Sequence, residues 1–144
     1  MAQIFKTETL LVDTGILYAL ADRKDKWHSR AADFISDTTF RLLVPSTVIP
    51  EACYLLNTYL GQEAEIAFIR ALIDRELIVE QVTTTDLSRA VEVMTTYADA
   101  NIGMVDASLV AVAERLKLTK ILTTDRRHFS IIKPKHCKGF QLLP

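Results

Sequence analysis

Four acidic side chains stand beside the ends of predicted secondary-structure elements: Asp13, Glu51, Asp106 and Asp125. In an open α/β sheet, groups at the carboxyl ends of parallel strands face one shared crevice. Two carboxylates about 4 Å apart repel each other by about 4 kcal/mol at an effective dielectric constant of about 20. A hard cation such as Mg²⁺ or Mn²⁺ offsets that repulsion and can promote phosphoryl chemistry. The four residues therefore predict a site for a divalent metal ion.

The elements that would position these residues alternate along the chain. Short apolar runs predict strands at 10–13, 42–44, 77–82, 120–124 and 140–143. Apolar residues at helical spacing predict helices at 16–20, 26–36 and 63–75, and further helices that begin near residues 46–47, 83–85 and 106. Helices that separate short strands predict an α/β fold, with a parallel β-sheet and helices on both faces. Asp13 and Asp125 then both end strands.

Glu51 and Asp106 are predicted near the starts of helices. Ser46 or Thr47 is expected to cap the helix that contains Glu51, because a hydroxyl oxygen accepts a hydrogen bond from a first-turn N–H. Pro50 is tolerated only in the first turn, which puts Glu51 early in that helix. Each carboxylate also has a structural alternative, as a helix cap or an ordinary turn residue. The metal site is favoured because four caps on one edge would leave their repulsion uncompensated.

Length and composition predict one domain, residues 1–144. A chain of 144 residues with 49% hydrophobic residues can fill a single core but has no room for a second. No apolar run approaches the ~20 residues that span a bilayer. Lys6 and Glu8 interrupt the opening segment, which argues against a signal peptide and predicts a cytoplasmic protein. Cys53 and Cys137 stand at unrelated positions, which argues against a disulfide framework.

The C-terminal third is basic around a single carboxylate. Between residues 115 and 138, Asp125 is accompanied by eight cations: Arg115, Lys117, Lys120, Arg126, Arg127, Lys133, Lys135 and Lys138. Such a distribution is what a site for a phosphate backbone would need. A solvated basic surface is an equally good interpretation of the same charges.

Four segments of the sequence resemble the PIN-domain nucleases. They are VDTGILYAL at 12–20, PEACYLL at 50–56, VDASLVAVAERL at 105–116 and ILTTDRRHF at 121–129. The order Asp, Glu, Asp, Asp and the overall length are most similar to the VapC-type toxins of toxin–antitoxin pairs. The resemblance covers nearly the whole chain, and the segments are more specific in this order than singly.

The resemblance implies roles for particular residues. Four of them would form the catalytic metal site: Asp13, Glu51, Asp106 and Asp125. Thr14 and Thr123 occupy positions where the family uses hydroxyls to support that site. Gly15 stands where many members have Ser, so one hydroxyl contact is absent. The implied activity is that of an Mg²⁺- or Mn²⁺-dependent endoribonuclease, a hydrolase that cleaves RNA phosphodiester bonds.

Several charged residues near the acidic site have open assignments. Arg126, Arg127 and His128 directly follow Asp125 and are candidates to hold substrate phosphates by charge-assisted hydrogen bonds, although plain solvation explains them equally well. The three histidines show no spacing typical of a metal site: His28, His128 and His136. No aromatic platform for stacking bases is evident in the sequence.

The resemblance also implies partners, namely a cognate antitoxin and a second copy of the chain in a homodimer. The apolar residues around 54–59 and 66–73 are open to three interpretations, as a dimer surface, an antitoxin surface or core.

Three other functions stay open beside the toxin. The chain could be a PIN-type nuclease of RNA processing, a non-catalytic signalling domain that binds Mg²⁺ and phosphate, or a silent binding module. The signalling domain is disfavoured because the strand at 77–82 ends in threonines and the strand at 120–124 leads to Asp125 rather than Lys.

Overall fold

The computed structural model describes residues 8–37 and 39–144. Its centre is a five-stranded sheet in which every pair of neighbouring strands is parallel, in the order β3-β2-β1-β4-β5. The strands are β1 Thr9–Val12, β2 Arg41–Pro45, β3 Ile78–Glu80, β4 Lys120–Leu122 and β5 Gln141–Leu143. The predicted α/β fold with a parallel sheet is confirmed.

The helices of the described residues connect or flank these strands. They are α1 Thr14–Ala21, α2 His28–Ser36, α3 Val48–Leu60, α4 Gln62–Ile73, α5 Thr84–Thr96, α6 Met104–Leu116 and α7 Arg126–Ile131. None of the described helices is long and apolar enough to cross a membrane.

The central strand β1 shows that both faces of the sheet are covered. Leu10, Leu11 and Val12 are consecutive, so their side chains alternate between the two faces, and all three are fully buried. A strand that is covered on both faces has consecutive apolar residues. This is why residues 10–12 predicted a strand from the sequence alone.

The strand order places a topological switch point between β1 and β4. From β1 the chain proceeds to β2 and β3 on one side, and then returns to β4 on the other side of β1. The carboxyl ends of β1 and β4 lie side by side, with Val12 paired to Leu122 and the Asp13 N–H donating to the Leu122 carbonyl at 3.0 Å. Open α/β sheets bind ligands in the crevice at such a point.

Helix α6 is anchored in the core. Residues 107–113 are all buried, so this helix is enclosed on every side rather than along one stripe. Asp106 lies in its first turn, and its position therefore depends on the packing of the whole helix.

Two helix starts illustrate what local sequence decides. Thr83 and Asp86 form a capping box at the start of α5, in agreement with the predicted cap at 83–85. At α3, Thr47 occupies the N-cap position but its side chain makes no cap hydrogen bond; instead its hydroxyl lies 2.6 Å from that of Ser108. The expected Ser46 or Thr47 side-chain cap is therefore wrong, because α6 offers Thr47 a different partner and the Ser46 hydroxyl accepts from the Val82 N–H.

Candidate active site

Asp13 is a buried carboxylate held by two hydrogen bonds. It follows β1 and is the N-cap of α1, where its Oδ1 accepts from the Thr14 N–H at 2.7 Å. Its Oδ2 accepts from the Thr123 hydroxyl at 2.8 Å. Only 6% of the residue is exposed. Burial, followed by the charge of Asp106, raises the pKa of Asp13 from 3.8 to about 7, although both hydrogen bonds oppose the rise.

Thr123 joins the ends of two strands through one hydroxyl group. The buried Oγ1 donates to Asp13 and accepts from the Asp125 N–H at 2.9 Å. Because a hydroxyl can donate once and accept as well, this single atom fixes the spacing between the Asp13 and Asp125 segments.

Asp125 begins the short helix α7. Its Oδ1 accepts from the N–H groups of Arg127 and His128, both at 3.1 Å, so the carboxylate is the helix N-cap. His128 lies in the first turn of α7, and its side chain contacts the same carboxylate. The Nδ1 atom of His128 is 3.1 Å from Oδ2 of Asp125.

Asp106 approaches the same imidazole from α6. Its Oδ2 lies 3.2 Å from the Nδ1 of His128. Burial raises the pKa of Asp106, the neighbouring charges of Asp125 and Glu51 raise it further, and the His128 hydrogen bond only partly offsets these effects. Ligand atoms of Asp106, Asp125 and His128 all lie within 4.8 Å of one another. We call Asp13, Asp106, Asp125 and His128 the acidic cluster.

Glu51 lies at the periphery of the acidic cluster. It is an exposed residue in the first turn of α3, and Pro50 precedes it within that turn, where proline is tolerated. The charge of Glu51 contributes to the raised pKa of Asp106, so the two carboxylates are near enough to interact. Within residues 8–37 and 39–144, the Glu51 carboxylate has no hydrogen-bond partner.

Residues 14 and 15 lie at the start of α1, next to Asp13. Thr14 is buried, and its hydroxyl has no hydrogen-bond partner among the described residues. A Cβ atom at Gly15 would lie 2.3 Å from the hydroxyl oxygen of Thr124. The glycine therefore lets the segment after β4 approach α1 closely. Packing thus explains why residue 15 is glycine, which the sequence comparison had shown only as the absence of a serine hydroxyl.

The two candidate phosphate-binding arginines differ in their surroundings. The Arg126 guanidinium lies 5.5 Å from the centre of the Trp27 ring and donates to the carbonyl oxygens of Leu142 and Pro144. Arg127 is exposed, and its guanidinium has no hydrogen-bond or ion-pair partner in the part of the chain that the structure describes.

The sequence did not reveal that His128 lies beside Asp106 as a candidate metal ligand. Spacing alone gave no reason to connect it with Asp106, which is 22 residues away. The signal lay in the Asp-x-x-His pattern at 125–128, because an N-cap and the third helical residue face each other across the first turn. A helix of only six residues shows no apolar periodicity, and α7 was not predicted.

The donor set of the acidic cluster fits a divalent ion. Carboxylate oxygens suit Mg²⁺ and Mn²⁺, and imidazole nitrogen is a ligand for the transition metals. Burial is the main cause of the raised pKa values of Asp13 and Asp106, and neighbouring carboxylates add to it, so the ionised forms of these groups lack compensation by the protein. A cation bound among these groups would remove that imbalance.

Comparisons with known proteins agree with this geometry. Residues 10–133 match the sequence profile of the PIN domain. This chain belongs to the PIN-domain family. The match spans all the acidic residues discussed above, and the PIN domain accounts for most of the described chain.

Relatives of this PIN domain include VapC proteins. The chain is 32% identical over 135 residues to ribonuclease VapC26 of Mycobacterium tuberculosis, an alignment that covers 94% of this chain and all of that protein. The structure of VapC20 from the same organism, a toxin that cleaves the sarcin–ricin loop, superimposes with a TM-score of 0.77 at 24% identity and covers 83% of this chain and 92% of that one. VapBC2 of Rickettsia felis bound to a promoter DNA fragment gives 0.69 at 13% identity, with 94% and 99% covered. At these identities the two structures support the fold.

Proposed function

We propose that this PIN domain is a divalent-metal-dependent endoribonuclease that acts as the toxin of a toxin–antitoxin pair. The observation that carries the proposal is the convergence of Asp13, Asp106 and Asp125 at the switch point of the sheet, with the pKa values of Asp13 and Asp106 raised. The similarity to ribonuclease VapC26 supports RNA as the substrate.

Each residue of the proposed site has a distinct task. Asp106 and Asp125 would hold the metal ion, Mg²⁺ or Mn²⁺, with His128 as a neighbouring donor and Asp13 as the buried anion behind them. Thr123 sets the separation of Asp13 and Asp125 through its two hydrogen bonds. Glu51 adds negative charge from α3, at the exposed side of the site. A bound ion supplies Lewis acidity, which lowers the pKa of an attacking water and stabilises charge on the leaving oxygen.

The direct test replaces one proposed ligand without changing its shape. Asp106→Asn removes the charge from α6 but keeps the size of the side chain. Cleavage of RNA by the variant, measured over a Mn²⁺ titration, should fall by more than about 100-fold, since even outer-shell partners of metal ligands are worth 10–100-fold. Circular dichroism should show an unchanged fold. Full activity in this variant, or undiminished cleavage by the wild type in EDTA, would refute the proposal.

An antitoxin partner and a homodimer belong to the same proposal. Exposed apolar side chains on α3 and α4 form an accessible surface, with Tyr54, Tyr59 and Ile73 exposed to 68%, 67% and 71%. A neighbouring cavity of about 330 Å³ between α1, α3 and α4 is lined by apolar residues that include Leu20 and Phe68. The VapBC2 structure of Rickettsia felis supports a protein partner of this kind. Native mass spectrometry of the chain alone, and with an antitoxin co-expressed, would measure both assemblies.

The biological role can be separated from the chemistry. We propose that the chain acts in the cytoplasm, where induction without an antitoxin should arrest growth. A PIN nuclease of RNA processing would cleave RNA in vitro yet permit normal growth when induced. Growth curves of cells that express the wild type or Asp106→Asn decide between the two roles.

A further inference from the structure

One tryptophan brings together two arginines from distant parts of the chain. Trp27 directly precedes α2 and is half-buried. The guanidinium carbon of Arg30 lies 4.5 Å from the centre of its ring, and that of Arg126 lies 5.5 Å away. Both distances are within the range of cation–π attraction, so one indole ring orients two positive charges.

The same two guanidinium groups converge on one atom. The terminal nitrogens of Arg30 and Arg126 both donate to the carbonyl oxygen of Pro144, that of Arg30 at 3.4 Å. Two cations therefore share one acceptor. Neither guanidinium forms an ion pair with an Asp or Glu side chain within residues 8–37 and 39–144. Arg89 and Arg115, by contrast, are paired with Glu114 and Asp86.

This arrangement lies at the same edge of the sheet as the acidic cluster. Arg126 is the residue after Asp125, and Pro144 follows β5, which runs parallel to β4. The platform is also fixed in place. The Asp25 carboxylate accepts from the backbone N–H of Trp27 at 2.8 Å, and the His28 imidazole lies 2.8 Å from the Ala19 carbonyl oxygen.

We propose that Arg30 and Arg126, oriented by Trp27, form a subsite for a backbone phosphate of the RNA substrate, beside the phosphodiester bond that is cut. The inference rests on the proposed ribonuclease function. Guanidinium groups bind phosphate through paired charge-assisted hydrogen bonds, and an anion between the two arginines would offset their repulsion. The subsite thereby holds the RNA strand on the basic side of the crevice while the acidic cluster faces the cleaved bond.

Trp27 makes the subsite directly observable, because it is the only tryptophan of the chain. The protein for this test carries Asp106→Asn, so that RNA binds without being cut, and the probe is a short mixed-sequence single-stranded RNA. Tryptophan emission should change saturably as RNA is added. Arg30→Gln and Arg126→Gln should each weaken binding by about tenfold, the equivalent of a single charge-assisted contact of about 1.4 kcal/mol.

Salt dependence provides a second measurement of the same contacts. The slope of log K against log salt concentration should become shallower by about 0.7 for each arginine removed, as expected for one phosphate contact to a single strand. The matched control is Arg41→Gln, an exposed arginine at the amino end of β2 and thus at the opposite edge of the sheet. That control should leave both the affinity and the slope unchanged.

The alternative is that the arginines only fasten the segment after β5. In that case Arg30→Gln and Arg126→Gln would lower the unfolding midpoint and leave RNA affinity at the wild-type value, which would overturn the subsite. If a Gln variant does not fold, Arg126→Lys keeps the charge and should bind RNA with intermediate affinity; unchanged affinity there also overturns it. If the wild type cleaves RNA but the Gln variants bind RNA with wild-type affinity, only the subsite is rejected. If the wild type neither cleaves nor binds RNA, the proposed ribonuclease function is rejected as well.

Discussion

Two clusters of charged residues occupy opposite ends of helix α6, and their charges are arranged differently. At the start of α6, Asp106 lies beside Asp125 and His128, and its charge acts on Asp13. At its end, Glu114 and Arg115 pair with Arg89 and Asp86 of α5, at 2.7 and 3.0 Å. We call the second group the α5–α6 ion-pair cluster. The first cluster gathers like charges and the second alternates them.

The pKa shifts of the two clusters have opposite signs for that reason. Burial disfavours the charged form of every one of these carboxylates. For Asp86 and Glu114, burial is opposed by the hydrogen bonds and charges of Arg115 and Arg89 together with backbone N–H donors, and these outweigh it, so the two pKa values are lowered. For Asp13 and Asp106, neighbouring carboxylates add to burial, so their pKa values rise. A compensated cluster stabilises the fold, whereas an uncompensated one is available to a ligand.

Removing the charge of Asp13 should produce the largest effect on activity. We expect Asp13→Asn to reduce RNA cleavage by about 1000-fold or more, because metal-ion catalysis is worth several kcal/mol and each 1.36 kcal/mol is tenfold in rate. The same variant should unfold at a higher temperature than the wild type at pH 8 without metal, since a buried charge is lost. Initial rates and thermal melts measure the two effects. A variant that is less stable and still active would show that the charge of Asp13 is compensated in the fold and not needed for cleavage.

The pH dependence of stability should separate the clusters. The unfolded Asp13 ionises near 3.8 and the folded one near 7, so the folded state holds more protons between these values. The free energy of unfolding of the metal-free protein should therefore fall as pH rises from 4 to 7, by up to roughly 4 kcal/mol at about 1.4 kcal/mol per pKa unit.

Two controls isolate the Asp13 contribution to that slope. Asp13→Asn should make the slope shallower and leave only the contribution of Asp106, whose pKa is also raised. Saturating Mn²⁺ should flatten the slope in the wild type by compensating the ionised carboxylates. Asp86 has a lowered pKa, so its stabilising contribution is lost only as pH falls below its ordinary value of 3.8 and does not interfere. Chemical unfolding across this pH range measures the slope, and a slope that Asp13→Asn leaves unchanged would show another group to be responsible.

Breaking the α5–α6 ion-pair cluster should affect stability and spare the chemistry. Asp86→Ala leaves Arg115 without its principal carboxylate and removes the capping box of α5. We expect the free energy of unfolding to fall by about 3 kcal/mol. This estimate lies between the cost of breaking an exposed ion pair and that of breaking a buried one, and it includes the lost helix cap. RNA cleavage per folded molecule should stay at the wild-type rate. The control is Asp99→Ala, which replaces an exposed acid and should change the free energy of unfolding by no more than about 0.5 kcal/mol.

The smallest expected effect concerns the fit between α1 and the segment after β4. Gly15→Ala places a Cβ 2.3 Å from the Thr124 hydroxyl oxygen. Because the Thr124 side chain can rotate away, we expect the free energy of unfolding to fall by only about 1 kcal/mol, which is at the low end for overpacking. In a Thr124→Ala background the same change should instead stabilise by roughly 0.5 kcal/mol, because alanine is the better helix former. Denaturant unfolding of the four proteins measures the difference, and equal costs in both backgrounds would rule out the clash.

The parts of the site that sequence could predict are those fixed by strand ends. Asp13 follows a run that is buried on both faces, and such runs are visible without a structure. Asp125 could be placed in the same way, although β4 ends three residues earlier, at Leu122. The parallel sheet then brings those ends to one edge, which is a property of the topology.

The contacts that sequence did not reveal depend on side chains from remote segments. His128 reaches Asp106 across two helices, and Thr47 meets Ser108 of α6 instead of its own helix. Trp27 was not recognised as a platform because its two arginines come from α2 and α7. The extent of the domain over 1–144 stays a prediction, because residues 1–7 and 38 lie outside the described part of the chain.

The bond between Thr123 and Asp13 joins residues that are 110 positions apart. On the ribosome, β1 emerges early, but its neighbour β4 and the residues that complete the proposed metal site are synthesised much later. A nascent or prematurely terminated chain that stops before Asp125 has no assembled centre and should not damage RNA. If the proposed site is the nuclease centre, cleavage of RNA can begin only after β4 and Asp125 have been synthesised.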